Sequence, residues 1–274
     1  MSAPMTDVET TVGALPAVSL AEVLEHAATM TRVDRKYLVP RALLPGLVAA
    51  VGGRFRALEI DGRRSTTYTS RYLDTADLAS CRAHLQGRRR RWKVRVRSYH
   101  EDGLTRVEVK IRDGRGTTNK TVRDLDGSAT LGVTGRLDSD ASDFVASVLG
   151  GSGFPVEVGR LHPTMEVTYR RSTLADTSAG ERLTIDSDLV CELEDRHVRL
   201  DHGFLVVETK GGFRPGPADR ALVAMGVRPR SLSKYASAAA LLRDDLADND
   251  VRRLHGKELH TGPKLTPTLV ERAS

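Results

Sequence analysis

Arg91-Trp92-Lys93-Val94-Arg95-Val96-Arg97-Ser98-Tyr99 is the stretch from which the architecture follows. Side chains alternate between two sides of an extended chain, so Trp92, Val94 and Val96 share one face while Lys93, Arg95 and Arg97 share the other. A helix would scatter the same charges around its circumference. The segment is therefore a strand with one apolar face for a core and one strongly cationic face. Glu101-Asp102-Gly103 follows as a turn signal, and Leu104 to Arg112 repeats the pattern. There Val107, Val109 and Ile111 alternate with Arg106, Glu108, Lys110 and Arg112.

Working outward, extended segments are expected at residues 32–39, 55–60, 65–74, 117–123, 156–171, 182–186 and 204–210. Asp113-Gly114-Arg115-Gly116 marks a second turn. Helical intervals are fewer: 21–30, opened by the capping box Ser19 and Glu22, then 41–51, 76–86, 139–149, 217–225 and 232–242. Strands in runs with scattered helices give an α+β class and an antiparallel sheet in preference to a parallel βαβ fold. Residues 1–17, polar and rich in Pro and Thr, are expected to be a disordered lead-in, residues 18–244 one domain, and residues 245–274 a tail. There is no internal repeat.

With 274 residues and 39% hydrophobic content the chain can bury a substantial core. Its 42 Lys and Arg against 36 Asp and Glu give a net charge of +6, a balance that favours an anionic ligand without requiring nucleic acid. Cys81 and Cys191 lack the spacing of a zinc site or a disulfide framework. No apolar run approaches the roughly 18 residues of a membrane span, and the N-terminus lacks a signal-peptide pattern. A cytoplasmic protein is expected. Arg88 to Arg91 beside Trp92 could contact nucleic acid or anionic lipid, although a solvated turn opening a strand accounts for it as well.

The alternation recurs in Glu166 to Arg170, with Val167 and Tyr169 opposite, and in Arg182 to Asp186, with Leu183 and Ile185 opposite. Any one such strand could simply show its charges to water. Repeated arginines with single carboxylates among them suit phosphate better, because the planar guanidinium donates two parallel hydrogen bonds to phosphate oxygens. If the sheet closes with these faces inward, the lumen is polar and strongly positive, and a triphosphate or longer chain would compensate it. Glu208 and Lys210 share one strand face, as do Glu108 and Lys110. A hard Mg²⁺ or Mn²⁺ ion takes one or two carboxylates together with phosphate oxygens and water. Glu208 is the best single ligand and Glu108 the second candidate, each with an ordinary salt bridge as the alternative.

At Arg32-Val33-Asp34-Arg35-Lys36 the chain resembles the opening strand of the CYTH and triphosphate tunnel metalloenzyme superfamily, whose signature is E-x-E-x-K. Arg32 and Asp34 stand at the two Glu positions and Lys36 keeps the lysine, a departure that points away from the plain triphosphatase branch. Tyr72-Leu-Asp-Thr75, Arg95-Val-Arg97, Glu108-Val-Lys110, Lys120, Tyr169-Arg170, Arg182-Leu-Thr-Ile-Asp186, Glu208-Thr-Lys210 and Ser233-Lys-Tyr235 resemble the vacuolar transporter chaperone (VTC) polyphosphate polymerase domain. That resemblance covers residues 32 to about 243.

It implies a closed antiparallel β-barrel, a tunnel with a basic lumen and flanking helices. It further implies Lys36, Arg95, Arg97, Lys110, Lys120, Arg170, Arg182 and Lys234 as phosphate ligands, with Glu208 on the metal. Lys93 and Lys210 join them from the strand faces. Ser231 stands where the family carries a second basic residue, with Arg230 next to it. The implied reaction is transfer of the γ-phosphate of an NTP, ATP foremost, onto a growing polyphosphate. A triphosphatase of the same fold and a non-catalytic polyphosphate or nucleic-acid binding module are the alternatives. No nucleic acid is expected as ligand in the leading reading, and any membrane association would pass through a partner protein.

Overall fold

The computed structural model describes residues 7–25, 33–125 and 135–265. Arg32, residues 26–30 of the first expected helix and residues 266–274 lie outside them. Seven α-helices and twelve strands are defined among the described residues: α1 (Val8–Gly13), β1 (Ala17–Val18), α2 (Leu20–Glu25), β2 (Val33–Pro40), α3 (Leu44–Val51), β3 (Arg56–Leu58), β4 (Thr66–Asp74), α4 (Ala79–Leu85), β5 (Arg91–Tyr99), β6 (Leu104–Arg112), β7 (Thr118–Leu125), α5 (Ser139–Gly151), β8 (His162–Asp176), β9 (Glu181–Leu193), β10 (Arg196–Leu200), β11 (Phe204–Gly211), α6 (Pro217–Ala224), α7 (Lys234–Leu242) and β12 (Leu259–Pro263). No helix among them is long and apolar enough to cross a membrane.

The class is α+β with an antiparallel sheet, as the strand runs imply, and β1 pairs with β3 in parallel. The hydrogen-bonded path runs β12-β10-β9-β8-β4-β5-β6-β7, with β11 joining β2 to β9 and β3 joining β1 to β8. The expected closure into a barrel is not found among the described residues. The path is open, and β7, whose residues are exposed up to Leu125, has β6 as its strand neighbour.

The chain forms two compact units, one of Met1–Thr67, Tyr169–Leu189 and Leu200–Leu232, the other of Tyr68–Thr168, Val190–Arg199 and Ser233–Ser274. Neither is a continuous stretch, because β8 and β9 contribute residues to both, so no linker marks a boundary in the sequence.

In the first unit, β11 pairs with β2 and β9, and Tyr37, Val39, Leu183, Ile185, Leu205 and Val207 all lie in one buried cluster. Leu44, Leu47, Val48 and Val51 of α3, Leu222 of α6 and Val12 of α1 complete it. The lead-in expected to be disordered thus contributes a core helix. Asp7 caps it by accepting the N–H of Thr10 at 3.0 Å, and Val8 and Val12 are apolar at the i, i+4 spacing that buries one side of a helix. The capping box at Ser19 forms as read, with the Ser19 N–H donating to Glu22 Oε2 at 2.9 Å.

In the second unit, Trp92, Val94 and Val96 of β5 and Val107, Val109 and Ile111 of β6 pack with Ala141, Val145 and Leu149 of α5. The expected tail also carries structure. Leu259 of β12 is buried, and the Lys264 N–H donates to the Asp195 carbonyl at 2.6 Å. Cys81 and Cys191 are buried free thiols.

Candidate phosphate-binding faces

The second unit builds its polar face on β4 to β7. Antiparallel register sets Arg95 opposite both Tyr72 and Glu108, and Arg97 opposite Ser70 and Arg106. Arg95 holds Glu108 Oε2 through Nη2 at 2.6 Å and Nε at 3.1 Å, and donates from Nη1 to the Tyr72 hydroxyl at 3.1 Å. Arg97 donates to Ser70 Oγ at 3.0 Å, lies over the Tyr68 ring, and stands 3.9 Å from Glu108 Oε1. Lys120 Nζ is also 3.9 Å from Glu108.

Three cations thus converge on one buried carboxylate. Burial alone would push Glu108 upward, but the charges of Arg95, Arg97 and Lys120 overcome it and hold the carboxyl at about 2. Its oxygens serve the guanidiniums, so in this arrangement Glu108 is a positioning counter-charge and not an open metal ligand.

That depressed value carries a sign. A carboxylate whose folded-state pKa lies below the ordinary 4.5 stabilises the protein fully above that value, and the contribution is lost as pH falls through about 2. Urea unfolding between pH 4.5 and 2 is therefore expected to show a steeper loss of stability in the wild type than in Glu108→Gln. Equal acid sensitivity would remove Glu108 from this role.

Two motifs meet on this same side of the sheet. Tyr72 stacks on Tyr235 with ring centroids 4.7 Å apart and planes 9° from parallel. The Tyr235 hydroxyl donates to Asp74 Oδ2 at 2.7 Å, and Asp74 also accepts the N–H groups of Ser80 and Cys81, each at 2.9 Å, at the start of α4. Burial drives the Tyr235 phenol well above its ordinary range. Ser233, one residue before α7, accepts from Lys93 Nζ at 2.9 Å and from the Ala236 N–H at 3.3 Å. Tyr72-Leu-Asp-Thr75 and Ser233-Lys-Tyr235 are therefore one scaffold that seats Lys93 and sets Lys234 at the first turn of α7.

The first unit builds a separate polar face on β2, β9 and β11. Lys36 lies opposite Glu208, Asp34 opposite Lys210, and across β9 Thr184 lies opposite Glu208 and Arg182 opposite Lys210. Lys210 Nζ donates to Glu208 Oε1 at 2.7 Å and is 3.5 Å from Asp34. Beside them Arg171 of β8 grips Asp186 with both forks, at 2.5 and 2.8 Å, under full burial of the carboxylate. Burial works against the Arg171 charge, but Asp186 foremost, with Tyr169 and Glu208, overcomes it and keeps the guanidinium firmly charged. Thr184 Oγ1 is buried with no hydrogen-bond partner among the described residues.

Most of the residues read from the sequence fall on these faces: Lys93, Arg95, Arg97, Glu108, Lys110 and Lys120 on one, Lys36, Arg182, Glu208 and Lys210 on the other. Arg170 does not. Its side chain is exposed and pairs with Glu9 of α1 at 3.0 Å. Leu174 lies in the helix-covered core with Ile185, so the even positions of this part of β8 turn away from the polar face and Arg171 takes the place expected of Arg170. The side chain of Arg230 is exposed, while its backbone N–H donates to the Lys36 carbonyl at 2.7 Å.

Among the described residues no group of three His, Cys, Asp or Glu forms a protein cage for a metal. The donor set at Glu208 nonetheless fits a hard divalent ion of the kind that takes one carboxylate and completes its shell with phosphate oxygens and water. The orphaned Thr184 hydroxyl opposite it supplies a further oxygen.

A family model described as VTC domain matches residues 31–243. A search of curated proteins finds no match. Among solved structures, a putative adenylate cyclase from Bacillus halodurans is 13% identical with a TM-score of 0.49, covering 74% of this chain and 96% of its own. A putative adenylyl cyclase from Hippeastrum, described as having a dominant triphosphatase activity, is 15% identical with a TM-score of 0.45, covering 75% and 94%. One from Vibrio parahaemolyticus is 12% identical with a TM-score of 0.42, covering 74% and 94%. Likenesses this low leave function to be argued from the chain's own residues.

Proposed function

The chain belongs to the VTC-domain family, and from that premise we propose that it is a metal-dependent polyphosphate polymerase. The reaction moves the γ-phosphoryl group of an NTP, ATP foremost, onto the terminal oxygen of a polyphosphate chain. The bond from the γ-phosphorus to the β,γ-bridging oxygen breaks, a new P–O bond forms to the chain end, and NDP leaves with the bridging oxygen.

The observation that supports this reading most is the pairing of arginine-rich strand faces with single, cation-held carboxylates in a chain of this family. Phosphoryl transfer asks the protein for alignment and charge neutralisation more than for a covalent nucleophile. Arg95 and Arg97, fixed by Glu108, Tyr72 and Ser70, are rigid forks for phosphate oxygens. Lys36, Arg182 and Lys210 supply cations beside Glu208, and Lys93, Lys110, Lys120 and Lys234 supply others. Glu208 would hold Mn²⁺ or Mg²⁺, and the ion when bound neutralises phosphate oxygens as charge shifts to the leaving group. Attachment to a membrane would be through a partner protein.

Incubation with ATP and Mn²⁺ is expected to yield long-chain polyphosphate and ADP in step. Phosphate release without polymer would replace this reading with triphosphate hydrolysis. Binding of polyphosphate or RNA without any turnover would replace it with a non-catalytic module.

A further inference from the structure

The polar face of β5 and β6 continues beyond the Glu108 cluster, and its charge balance changes there. Lys93 lies opposite Lys110 and Arg91 opposite Arg112, while Lys110 also lies opposite Lys120 on β7. These cross-strand positions hold cations and no carboxylate, although like charges set directly opposite weaken a sheet. Burial first, and then the Arg112 charge, push the Arg91 guanidinium below its ordinary range, with no acid opposing them. Arg91 Nη1 donates to the Arg88 carbonyl at 2.7 Å, whereas Arg112 Nε is buried with no hydrogen-bond partner among the described residues. The adjacent carboxylate, Asp113, is turned into its own loop, where it accepts the N–H groups of Arg115 at 2.9 Å and Thr117 at 2.8 Å.

A facing pair of arginines with an unmet buried donor is an anion site in waiting. We propose that Arg91 and Arg112 form a distal subsite for the internal phosphates of a linear polyphosphate that is also held at Arg95 and Arg97. This rests on the polyphosphate reading above and adds chain-length selectivity to it. Arg91 and Arg95 are four residues apart on an extended strand, about 14 Å at ~3.4 Å per residue, so a triphosphate held at Arg95 falls short of the pair. A longer chain reaches it, relieves the repulsion and meets the orphaned donor.

Single-stranded nucleic acid fits this end less well. Its binding sites pair cations with aromatic stacking platforms. Trp92, the one tryptophan, is buried on the opposite face, and Arg90 is occupied with the carbonyls of Ser152 and Gly153, each at 3.0 Å.

The test is titration of the full chain, as wild type, Arg112→Gln and Arg91→Gln, with inorganic triphosphate, long-chain polyphosphate and single-stranded RNA. Each variant is expected to bind polyphosphate about tenfold more weakly or worse, with triphosphate affinity unchanged. The rise in melting temperature produced by polyphosphate should shrink in both. Equal weakening toward both phosphates, a wild-type response to polyphosphate, or a loss confined to RNA would each overturn the distal subsite. A wild-type chain that binds neither phosphate ligand would sink the polyphosphate reading itself, which is a different result from a loss confined to the variants.

Discussion

Glu208→Gln is expected to lower turnover with ATP by about 100-fold or more while leaving metal-free binding of triphosphate intact. The two side chains are nearly equal in size, and the amide keeps an oxygen that can accept from Lys210, now 2.7 Å from the carboxylate. What disappears is the negative charge that makes a hard-ion ligand. Removing an anion from a cationic face cannot weaken attraction for phosphate, so binding holds or tightens. Steady-state kinetics over a metal titration, set beside calorimetric binding without metal, separates the two effects. Wild-type kcat in the variant would exclude Glu208 from the metal.

Asp186→Ala is expected to cost about 3–5 kcal/mol of folding stability, because it leaves Arg171 charged and buried without its partner. Replacing both members together, Arg171→Met with Asp186→Leu, is expected to cost much less, since no unpaired charge then remains inside. Urea denaturation of the single and double variants checks this. A single variant as stable as the double one would show that the pair is solvated in solution. Activity should fail in the double variant, which removes the Arg171 charge from the face that carries Glu208.

Much of this architecture was open to reading because period-2 alternation is strong wherever a strand has one apolar and one charged face. The stretch 91–99 and its partner 104–112 came out residue for residue, and the two turns flanking β6 carry glycines at the left-handed positions, Gly103 at φ 60° and Gly116 at φ 94°. What escaped was set by weaker local signals. The two-residue turn between β9 and β10 is Glu194-Asp195, with Glu194 at φ 55°; a glycine or asparagine would have announced such a turn. Asp188, at φ 54°, sits where β9 leaves β11 for β10, and it hid the second half of that strand.

The error at Arg170 has the same origin. With the strand taken to end at Arg171, nothing downstream fixed which of two adjacent arginines faced inward. Only the run to Leu174 and Asp176, where burial picks the face, decides between them. Glu108 shows a different limit. Sequence spacing placed it correctly on the polar face, but whether a carboxylate serves a metal or guanidiniums depends on what stands opposite in the neighbouring strands. Whether the recurring charged faces close into a barrel is not fixed by any of them, because strand pairing is a long-range property that no local pattern encodes.

The outer side of β7 has a bearing on how this protein behaves in company. A strand with one hydrogen-bonded neighbour, as β7 has among the described residues, leaves a row of backbone donors and acceptors that another molecule's strand can copy, the usual route to edge-to-edge association. Here the rim is blunted by charge: Lys120, Arg123 and Asp124 are exposed along it, and Arg123 reaches to the Asp140 carbonyl at 3.0 Å. Protection of that kind depends on the ionic surroundings, so a dense polyanion such as the ligand proposed above would also screen the repulsion that keeps one copy from zipping onto the next.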